Sequence, residues 1–436
     1  MNDFLRIRRA RLHGELGLGD AILLAGAGEP IPLPEGSDQT YPFRSHAEYF
    51  YLAGQECAGG VIAFDPMDAQ VREADSRPVP STDGWVSFVP QVTEAERVWE
   101  GRQSPPGTPL AELGAWLAAR GGRPIAMLGS PLREIRADDT VTSAVRNKLK
   151  HARRVKDAHE VALIRRAAAA TAAGFERLRG LIAPGVTERA LQIELEAEFS
   201  RAGSDRPGYA TIVGTGPNAA VLHFEPSSRA AQAGEFVLVD AGAEIDRYMA
   251  DVTRTYVAGK PSAFQRDLFQ VVLAAEESAI SRCHPGAEWR DLHLAAAVEM
   301  VSGLVAMGVM RGTPGSLVEQ EAHLLFFPHG LGHMVGLGVR DGSGLAPGRP
   351  KDPRPTLTNL RMDLPLAPGY VVTVEPGLYF IPPLLNNRDR RSRFRDAVNW
   401  PLVDEHLHLG GVRIEDNVLV TTGEPEVLTA AIPKGL

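Results

Sequence analysis

Two apolar runs separated by a short polar stretch define the most informative segment of the chain, residues 236–256. The first run leads into Asp240, and the second carries Asp251 near its start. Two strand-like runs around a short turn predict a β-hairpin. A turn centred between Ile245 and Asp246 would set Asp240 directly opposite Asp251, with their Cβ atoms about 5 Å apart.

Two buried carboxylates at that distance repel each other, and one of them would have to take up a proton. A cation bound between them removes this cost. The alternative is a solvated hairpin with two surface aspartates. The apolar neighbours of Asp240 and Asp251 favour the buried hairpin and therefore a bound cation.

The hydrophobic pattern of the first 150 residues predicts alternating strands and helices, with no group of residues that can be tied to chemistry. An aromatic and polar stretch at 41–51 is typical of a domain surface that packs on something. The predicted elements are strands at 21–25, 60–64, 85–89 and 124–128, and helices at 107–120 and 141–154.

A second segment begins near residue 155. Asp157 and Glu160 have the spacing of a capping box for a helix over about 158–181. Thr187 is placed to cap a second helix that ends near position 201. Further along, the pattern predicts helices at 263–283 and 289–307 and apolar runs at 326–333, 370–379 and 411–420.

The length of 436 residues is too great for one ordinary core, so two domains are expected, 1–155 and 156–436. With 44% hydrophobic and 23% charged residues, the composition is that of a soluble globular protein. The fold class predicted is α/β (α+β), with a mixed α/β N-terminal domain followed by a second domain that carries the chemistry.

Net charge and cysteine content limit the kinds of binding partner and the cellular location that we expect for this protein. A net charge of −8 and a pI near 5.9 argue against a nucleic-acid binder or a membrane-surface protein. No apolar run approaches the ~18 residues of a membrane span, and the N-terminus does not resemble a secretory signal. Cys57 and Cys283 lie far apart and fit a reducing compartment, so the expected location is cytoplasmic.

Four further stretches could carry chemistry, although each has an ordinary structural explanation when taken alone. Histidines 329 and 333 lie among glycines in PHGLGH, and Glu375 follows an apolar strand. Alternation in the last apolar run sets Arg413, Glu415 and Asn417 on one face, which could be plain solvent surface. His223 lies between apolar neighbours, as a buried core histidine would.

Together, four carboxylates and one imidazole at the ends of apolar strands form a hard, oxygen-rich set of ligands. Such a set suits Mn²⁺, Co²⁺ or Fe²⁺, with Zn²⁺ possible. Four carboxylates would neutralise two divalent ions, which can share and activate a water. The chain contains no HExxH, GxSxG, Walker or CxxC sequence that would indicate another chemistry.

The ordered set DAG…D, HGLGH, VEPG and GGVRIED resembles the Xaa-Pro peptidases of the pita-bread fold. These comprise the Xaa-Pro dipeptidases (prolidases) and the Xaa-Pro aminopeptidases. The resemblance covers residues from about 155 to 436, and the first half resembles the family's N-terminal domain only in outline. It implies peptide substrates with proline in second position, two divalent ions, expected to be Mn²⁺, and the ligands Asp240, Asp251, His333, Glu375 and Glu415.

The resemblance also implies a role for each residue of the site. Asp251 and Glu415 would bridge the two ions. Glu375 would take the proton of the bridging water and pass it to the leaving nitrogen, as a general acid–base catalyst. His223 matches a histidine that contacts the substrate and the tetrahedral intermediate, and His329 one near the leaving-group pocket.

The choice between dipeptidase and aminopeptidase depends on Arg361, which lies 14 residues before Glu375, where prolidases grip the substrate carboxylate with an arginine. The long insert between Pro382 and Gly410 also resembles prolidases. The prediction is therefore a Xaa-Pro dipeptidase. The alternatives are a Xaa-Pro aminopeptidase acting on longer peptides and a non-catalytic binding module with this fold.

Two arginines complete the predicted substrate site. Arg340 stands seven residues after His333, where the family usually has a histidine, and an arginine there can donate hydrogen bonds to an oxyanion but cannot shuttle a proton. Arg413 is expected to contact substrate from the face that it shares with Glu415. The resemblance further implies a homodimer, with aromatic residues near 49–51 as a candidate contact.

Overall fold

The computed structural model describes residues 3–73 and 83–436. The chain forms two units, Met1–Arg153 and Arg154–Leu436. The observed division therefore falls two residues before the boundary between 155 and 156 that the sequence predicts. Both units combine strands with helices, so the mixed α/β class is confirmed.

A five-stranded sheet in the order β4-β3-β2-β1-β5 organises the first unit. Strand β1 is antiparallel to β2 and parallel to β5. The strands are β1 (Ile22–Gly26), β2 (Val61–Phe64), β3 (Trp85–Val89), β4 (Thr108–Pro109) and β5 (Ile125–Gly129). The helices are α1 (Asp3–Leu16), α2 (Ala47–Ala53), α3 (Pro66–Glu73), α4 (Glu94–Glu100), α5 (Leu113–Ala118) and α6 (Asp139–Ala152), with a 3-10 turn at Leu110–Glu112.

The helix predicted at 107–120 is only partly present. Residues 108 and 109 extend the sheet instead, where Thr108 pairs with Phe88, and a helix follows at Leu113–Ala118. A Cβ atom at Gly107 would lie 2.7 Å from the Ser87 backbone oxygen, so the chain passes too close to β3 for a helix to begin there. Pairing with the sheet therefore overrides the local helical pattern.

Short sheets and long helices alternate in the second unit. Its helices are α7 (Ala158–Arg179), α8 (Glu188–Arg201), α9 (Ala263–Ile280), α10 (Trp289–Ala306), α11 (Pro314–Glu319), α12 (Pro355–Thr358), α13 (Pro382–Leu385), α14 (Arg388–Arg393) and α15 (Trp400–Glu405), with 3-10 turns at Gly216–Ala220 and Ala322–Leu325. No helix in the described residues is long and apolar enough to cross a membrane.

Five sheets carry the strands of this unit, in the orders β11-β8-β7, β14-β17-β18, β10-β9-β6, β15-β16 and β12-β13. The strands are β6 (Arg206–Pro207), β7 (Ile212–Thr215), β8 (Phe236–Ala241), β9 (Ala243–Ile245), β10 (Tyr248–Met249), β11 (Val252–Val257), β12 (Gly344–Leu345), β13 (Met362–Asp363), β14 (Val371–Val374), β15 (Gly377–Tyr379), β16 (Gly411–Arg413), β17 (Asp416–Leu419) and β18 (Glu426–Val427).

Capping and packing explain why the helices of the second unit form where they do. The predicted capping box of Asp157 and Glu160 is present, and the Thr187 side chain accepts a hydrogen bond from the Ala190 N–H, which caps α8. Leu268 of α9 and Met300 of α10 share one buried apolar cluster with residues of β8 and β16. These helices therefore cover the sheets whose strand ends carry the candidate ligands.

The hairpin at 236–256 is confirmed, but its predicted register is wrong. The turn falls at Asp246 and Arg247, whose φ angles of 49° and 72° fit a two-residue hairpin turn. As a result, Thr253 rather than Asp251 lies opposite Asp240. The change is a shift of two residues, so Asp251 keeps its face of the strand and lies diagonal to Asp240.

Candidate metal centre

The four carboxylates among the five predicted ligands lie at or beside the ends of strands in the second unit. Asp240 is in β8, Asp251 precedes β11, Glu375 follows β14, and Glu415 lies between β16 and β17. Strands β14 and β17 are paired, and Glu415 also forms a bridge to β11, so these strand ends meet. His333 is brought in by the segment whose backbone pairs beside β14.

Three of the five offer ligand atoms that converge on one point. One atom each from Asp251, His333 and Glu415 lies within 4.8 Å of the others, and all three residues are buried. His333 Nε2 lies 3.5 Å from Asp251 Oδ2 and 3.6 Å from Glu375 Oε1. Asp240 borders the same cavity as Glu375 and His333. The structure thus brings the predicted set together.

Burial and mutual repulsion dominate the electrostatics of this cluster. Burial raises the pKa of Asp251 well above its usual range, and the charge of Asp240 raises it further. Burial and the charge of Asp251 do the same to the pKa of Glu415, and burial raises the pKa of Glu375 to about 7. These carboxylates are poorly compensated by the protein itself, which is the condition that a bound cation would relieve.

The histidine of the cluster is prepared to act as a neutral ligand. Burial lowers the pKa of His333 to about 4. Its Nδ1 lies 3.1 Å from the Met334 carbonyl oxygen, which can only accept a hydrogen bond, so Nδ1 carries the proton. The lone pair of Nε2 therefore faces Asp251 and Glu375. Neutral imidazole and carboxylate oxygens are a fitting donor set for divalent ions such as Mn²⁺ or Zn²⁺.

Hydrogen bonds from neighbouring side chains hold the carboxylates in place. The Tyr209 hydroxyl donates to Asp240 Oδ1 at 2.7 Å, and the Thr253 hydroxyl donates to Glu415 Oε2 at 2.6 Å. Sequence reasoning missed both residues. Thr253 follows Asp251 by two positions, so strand alternation could have found it, whereas Tyr209 lies outside every periodic pattern and had no comparable signal.

Asn417 fixes the backbone of Asp251 from both sides. Its Oδ1 accepts from the Asp251 N–H at 2.9 Å, and its Nδ2 donates to the Asp251 carbonyl at 2.7 Å. The predicted face of Arg413, Glu415 and Asn417 therefore points to the centre rather than to solvent.

Replacing Asn417 with alanine should weaken metal binding, because the backbone that carries Asp251 loses two hydrogen bonds. Loss of such outer partners typically costs 10- to 100-fold in metal affinity. Calorimetric titration of Mn²⁺ into metal-free protein measures the effect, with Asn386→Ala on the exposed surface as the control. An unchanged affinity in Asn417→Ala would show that Asp251 is held without it.

Arg413 lies fully inside the centre. Its Nη2 donates to Asp240 Oδ2 at 2.6 Å, its Nη1 to the Tyr379 hydroxyl at 2.9 Å, and its Nε to the Thr253 hydroxyl at 3.0 Å. These contacts bind the guanidinium to the protein on three sides. Its predicted contact with substrate stays a prediction, whereas its contact with a candidate ligand is observed.

His329 belongs to the same hydrogen-bond chain. Its Nδ1 donates to the Gly330 carbonyl at 2.8 Å, so its Nε2 accepts from the Tyr379 hydroxyl at 2.9 Å. Burial lowers the pKa of His329 to about 3, which keeps the ring neutral. The side chain lines the cavity beside the five ligands, as its predicted place near the leaving group requires.

Two cavities of about 380 and 570 Å³ open beside the cluster. Both are bordered by His223, Asp240, His333, Arg340 and Glu375, so the cluster lies where they meet. The expectation that His223 is buried is wrong. It is exposed in a turn because the segment that carries it leaves the sheet after β7, and this exposure lets it border both cavities.

Arg340 and Arg361 are exposed residues on the cavity wall. Arg340 borders both cavities, whereas Arg361 borders the smaller one only. Neither residue is held in a geometry that decides its role, and a substrate contact of either one stays a prediction.

Two protein-family models match the chain. Residues 162–422 match the model of metallopeptidase family M24, and residues 5–120 match the aminopeptidase P N-terminal domain. The first match alone covers more than half of the chain. The chain belongs to metallopeptidase family M24. It is a metallopeptidase with an aminopeptidase P-type N-terminal domain followed by the pita-bread domain, and its family implies divalent metal ions at the site.

Similar proteins cover nearly the whole chain. A probable Xaa-Pro aminopeptidase of Paracoccidioides lutzii is 31% identical, over 96% of this chain and 91% of that protein. The Pseudomonas aeruginosa aminopeptidase PepP is similar in structure, with a TM-score of 0.78, 26% identity and coverage of 99% and 95%. Escherichia coli aminopeptidase P with the inhibitor Pro-Leu gives the same TM-score, identity and coverage.

These findings overturn the prediction of a Xaa-Pro dipeptidase. The similar proteins are named Xaa-Pro aminopeptidases, and the N-terminal match is to the aminopeptidase P domain. The prediction relied on Arg361 and on the long insert after Pro382. An exposed arginine on a cavity wall does not by itself require that the peptide end there, so neither feature could decide the length of the substrate.

Proposed function

We propose that this metallopeptidase hydrolyses the bond between the first residue and a following proline in peptides longer than two residues. The observation that carries the proposal is the convergence of the five ligands where two cavities meet. The volumes of the two cavities, about 380 and 570 Å³, lie within the range of roughly 300–1,000 Å³ that is typical of small-molecule sites. A peptide could then extend to both sides of the cluster. The similar aminopeptidases support this choice.

Two divalent ions, proposed to be Mn²⁺, would be held by Asp240, Asp251, His333, Glu375 and Glu415. Bound there, they would lower the pKa of a shared water and polarise the carbonyl of the scissile bond. The carboxylates supply four negative charges, which two divalent ions balance.

The chain's own residues position the substrate and move the proton. The Glu375 side chain is 18% exposed, more than those of Asp240, Asp251 and His333, and it borders the cavity. It can therefore take a proton from a water in the cavity and return it to the proline nitrogen as that nitrogen leaves. His223, exposed at the junction of the two cavities, would donate a hydrogen bond to the substrate carbonyl.

Hydrolysis of Ala-Pro-Ala compared with Ala-Pro tests the proposal, with metal-free protein reconstituted separately with Mn²⁺, Co²⁺, Fe²⁺ and Zn²⁺. We expect metal-dependent release of alanine from the tripeptide, with the largest kcat/KM in Mn²⁺. The Glu375→Gln variant should bind the tripeptide but lose turnover. Faster cleavage of the dipeptide, or turnover independent of metal, would contradict the proposal.

The homodimer and the cytoplasmic location stay predictions. The aromatic residues suggested for the dimer contact, Tyr49 and Tyr51, are only 2% and 0% exposed, so they belong to the core of the first unit. Val98 and Trp99 in α4 are 73% and 83% exposed and offer a more suitable apolar surface. Light scattering of the purified protein, with Trp99→Ser for comparison, tests the oligomeric state.

A further inference from the structure

Besides Arg413, which pairs with Asp240, three positively charged side chains border the smaller cavity: Arg340, Lys351 and Arg361. All three residues are exposed. Within the described residues, no carboxylate lies within ion-pair distance, 4.0 Å, of their charged atoms. By contrast, Arg349, two residues before Lys351, forms an ion pair with Glu288 at 2.8 Å. The wall of the smaller cavity therefore carries three exposed cations that have no carboxylate partner among the described residues.

Arg340, Lys351 and Arg361 border the same cavity as the candidate ligand His333. Among the residues that the structure describes, the carboxylates that border the smaller cavity are Asp240 and Glu375, both proposed ligands. Two divalent ions would balance the four ligand carboxylates, so Arg413 and the three exposed cations would give the cavity a positive potential.

Outside the ligand cluster, the charges that border the larger cavity balance each other. Glu196 and Glu225 border it together with two cations, Arg189 and Arg340, and Arg189 lies 4.0 Å from Glu225. The charge of the cleft outside the ligands therefore changes from balanced to positive across the cluster. A peptide has a positive amino end, which favours the larger cavity, and its residues beyond the scissile bond would then enter the smaller one.

Resting on the aminopeptidase function proposed above, we propose that Arg340, Lys351 and Arg361 form an anion-selective subsite for the side chain that follows proline. The preferred substrates are peptides with glutamate or aspartate in third position. Exposed ion pairs are individually weak, at the level of a few-fold in affinity each, so three together should give a preference of about tenfold. The preference should decline with salt, because exposed charges are screened.

Two matched peptides separate the side chain from the free carboxyl end: Ala-Pro-Glu-Ala-amide and Ala-Pro-Gln-Ala-amide. Glutamine has the shape of glutamate without its charge, and the amide removes the terminal carboxylate. We expect kcat/KM to be about tenfold higher for the glutamate peptide in low salt, with a ratio near one in about 1 M KCl. Equal kcat/KM values in low salt would overturn the subsite.

Binding provides a readout that does not depend on turnover. Calorimetric titration of the Mn²⁺-loaded protein with Pro-Glu-amide and Pro-Gln-amide should show the same preference for the charged side chain. Should neither tetrapeptide be hydrolysed, the aminopeptidase proposal would fail, whereas the binding ratio would still decide whether the subsite exists. The two failures are therefore distinguishable.

Variants of Lys351 assign the effect to this wall. Lys351→Met should reduce the glutamate-to-glutamine ratio by a few-fold, and Lys351→Arg should restore it, since it keeps the charge. Lys260→Met serves as the control, because Lys260 is an exposed lysine of the same unit and borders neither cavity. A ratio that falls equally in both methionine variants would reflect net charge and would contradict a local subsite.

Discussion

Asp251→Asn is expected to abolish metal binding and peptide hydrolysis while making the metal-free protein more stable. Asp251 is 4% exposed, and its carboxylate is repelled by Asp240 and Glu375. Asparagine has the same shape without the charge, and its amide can still bond to neighbouring oxygens. The substitution therefore removes electrostatic repulsion in the empty centre and removes a ligand in the loaded one.

The prediction is specific because the variant should be more stable than the parent without metal but should gain no stability when metal is added. Replacing a buried charge by a neutral group of similar volume can stabilise a protein by roughly 1–4 kcal/mol, which should raise the melting temperature in the presence of a chelator. Metal at 100 times its Kd stabilises a folded protein by about 2.7 kcal/mol, and this gain should disappear in the variant. Calorimetric melting with chelator and with Mn²⁺ measures both quantities.

Asp246→Asn provides the matched control, because it makes the same substitution in the same hairpin. The Asp246 side chain is 65% exposed, and asparagine tolerates the positive φ of this turn. We expect unchanged melting, metal binding and activity. A lower melting temperature of metal-free Asp251→Asn, with the metal-induced gain retained, would contradict the electrostatic account of the centre.

The sequence predicts the ligand-bearing strand ends well, because their signal is local. An apolar run followed by a carboxylate, as at Val371–Val374 and Glu375, needs only strand periodicity to be recognised. Alternation likewise predicts the common face of Arg413, Glu415 and Asn417. The turn of the hairpin was misplaced because Asp246 and Arg247 adopt positive φ without a glycine to mark it.

The contacts that join distant segments had no such signal. Tyr209 reaches Asp240 across 31 positions, and Thr253 reaches Glu415 across 162. Substrate length is a property of the same kind, since it depends on loops around the cavities rather than on the ligands. Arg361 does border the smaller cavity, but its position there does not determine how long a bound peptide can be.

Arg413→Met is expected to destabilise the protein and to abolish activity, even though Arg413 is not proposed to be a ligand. The guanidinium is 4% exposed and bonds to Asp240, Tyr379 and Thr253 at once. Removing one partner of a buried ion pair typically costs 3–5 kcal/mol, because the remaining charge has no compensation. Asp240 would then lose its fixed orientation, and the Tyr379 hydroxyl would lose the donor that aligns it with His329.

Urea unfolding and kcat/KM on Ala-Pro-Ala measure these effects. Arg413→Lys keeps the charge but not the planar fork, so it should recover part of the stability and little of the activity. Arg177→Met is the control, because this arginine is 48% exposed and its ion pair with Glu194 should contribute less than about 1 kcal/mol. If Arg413→Met unfolded at the same urea concentration as the parent, Asp240 would have to be held by other groups. In that case only a substrate contact could explain a loss of activity, and the change would appear in KM rather than in stability.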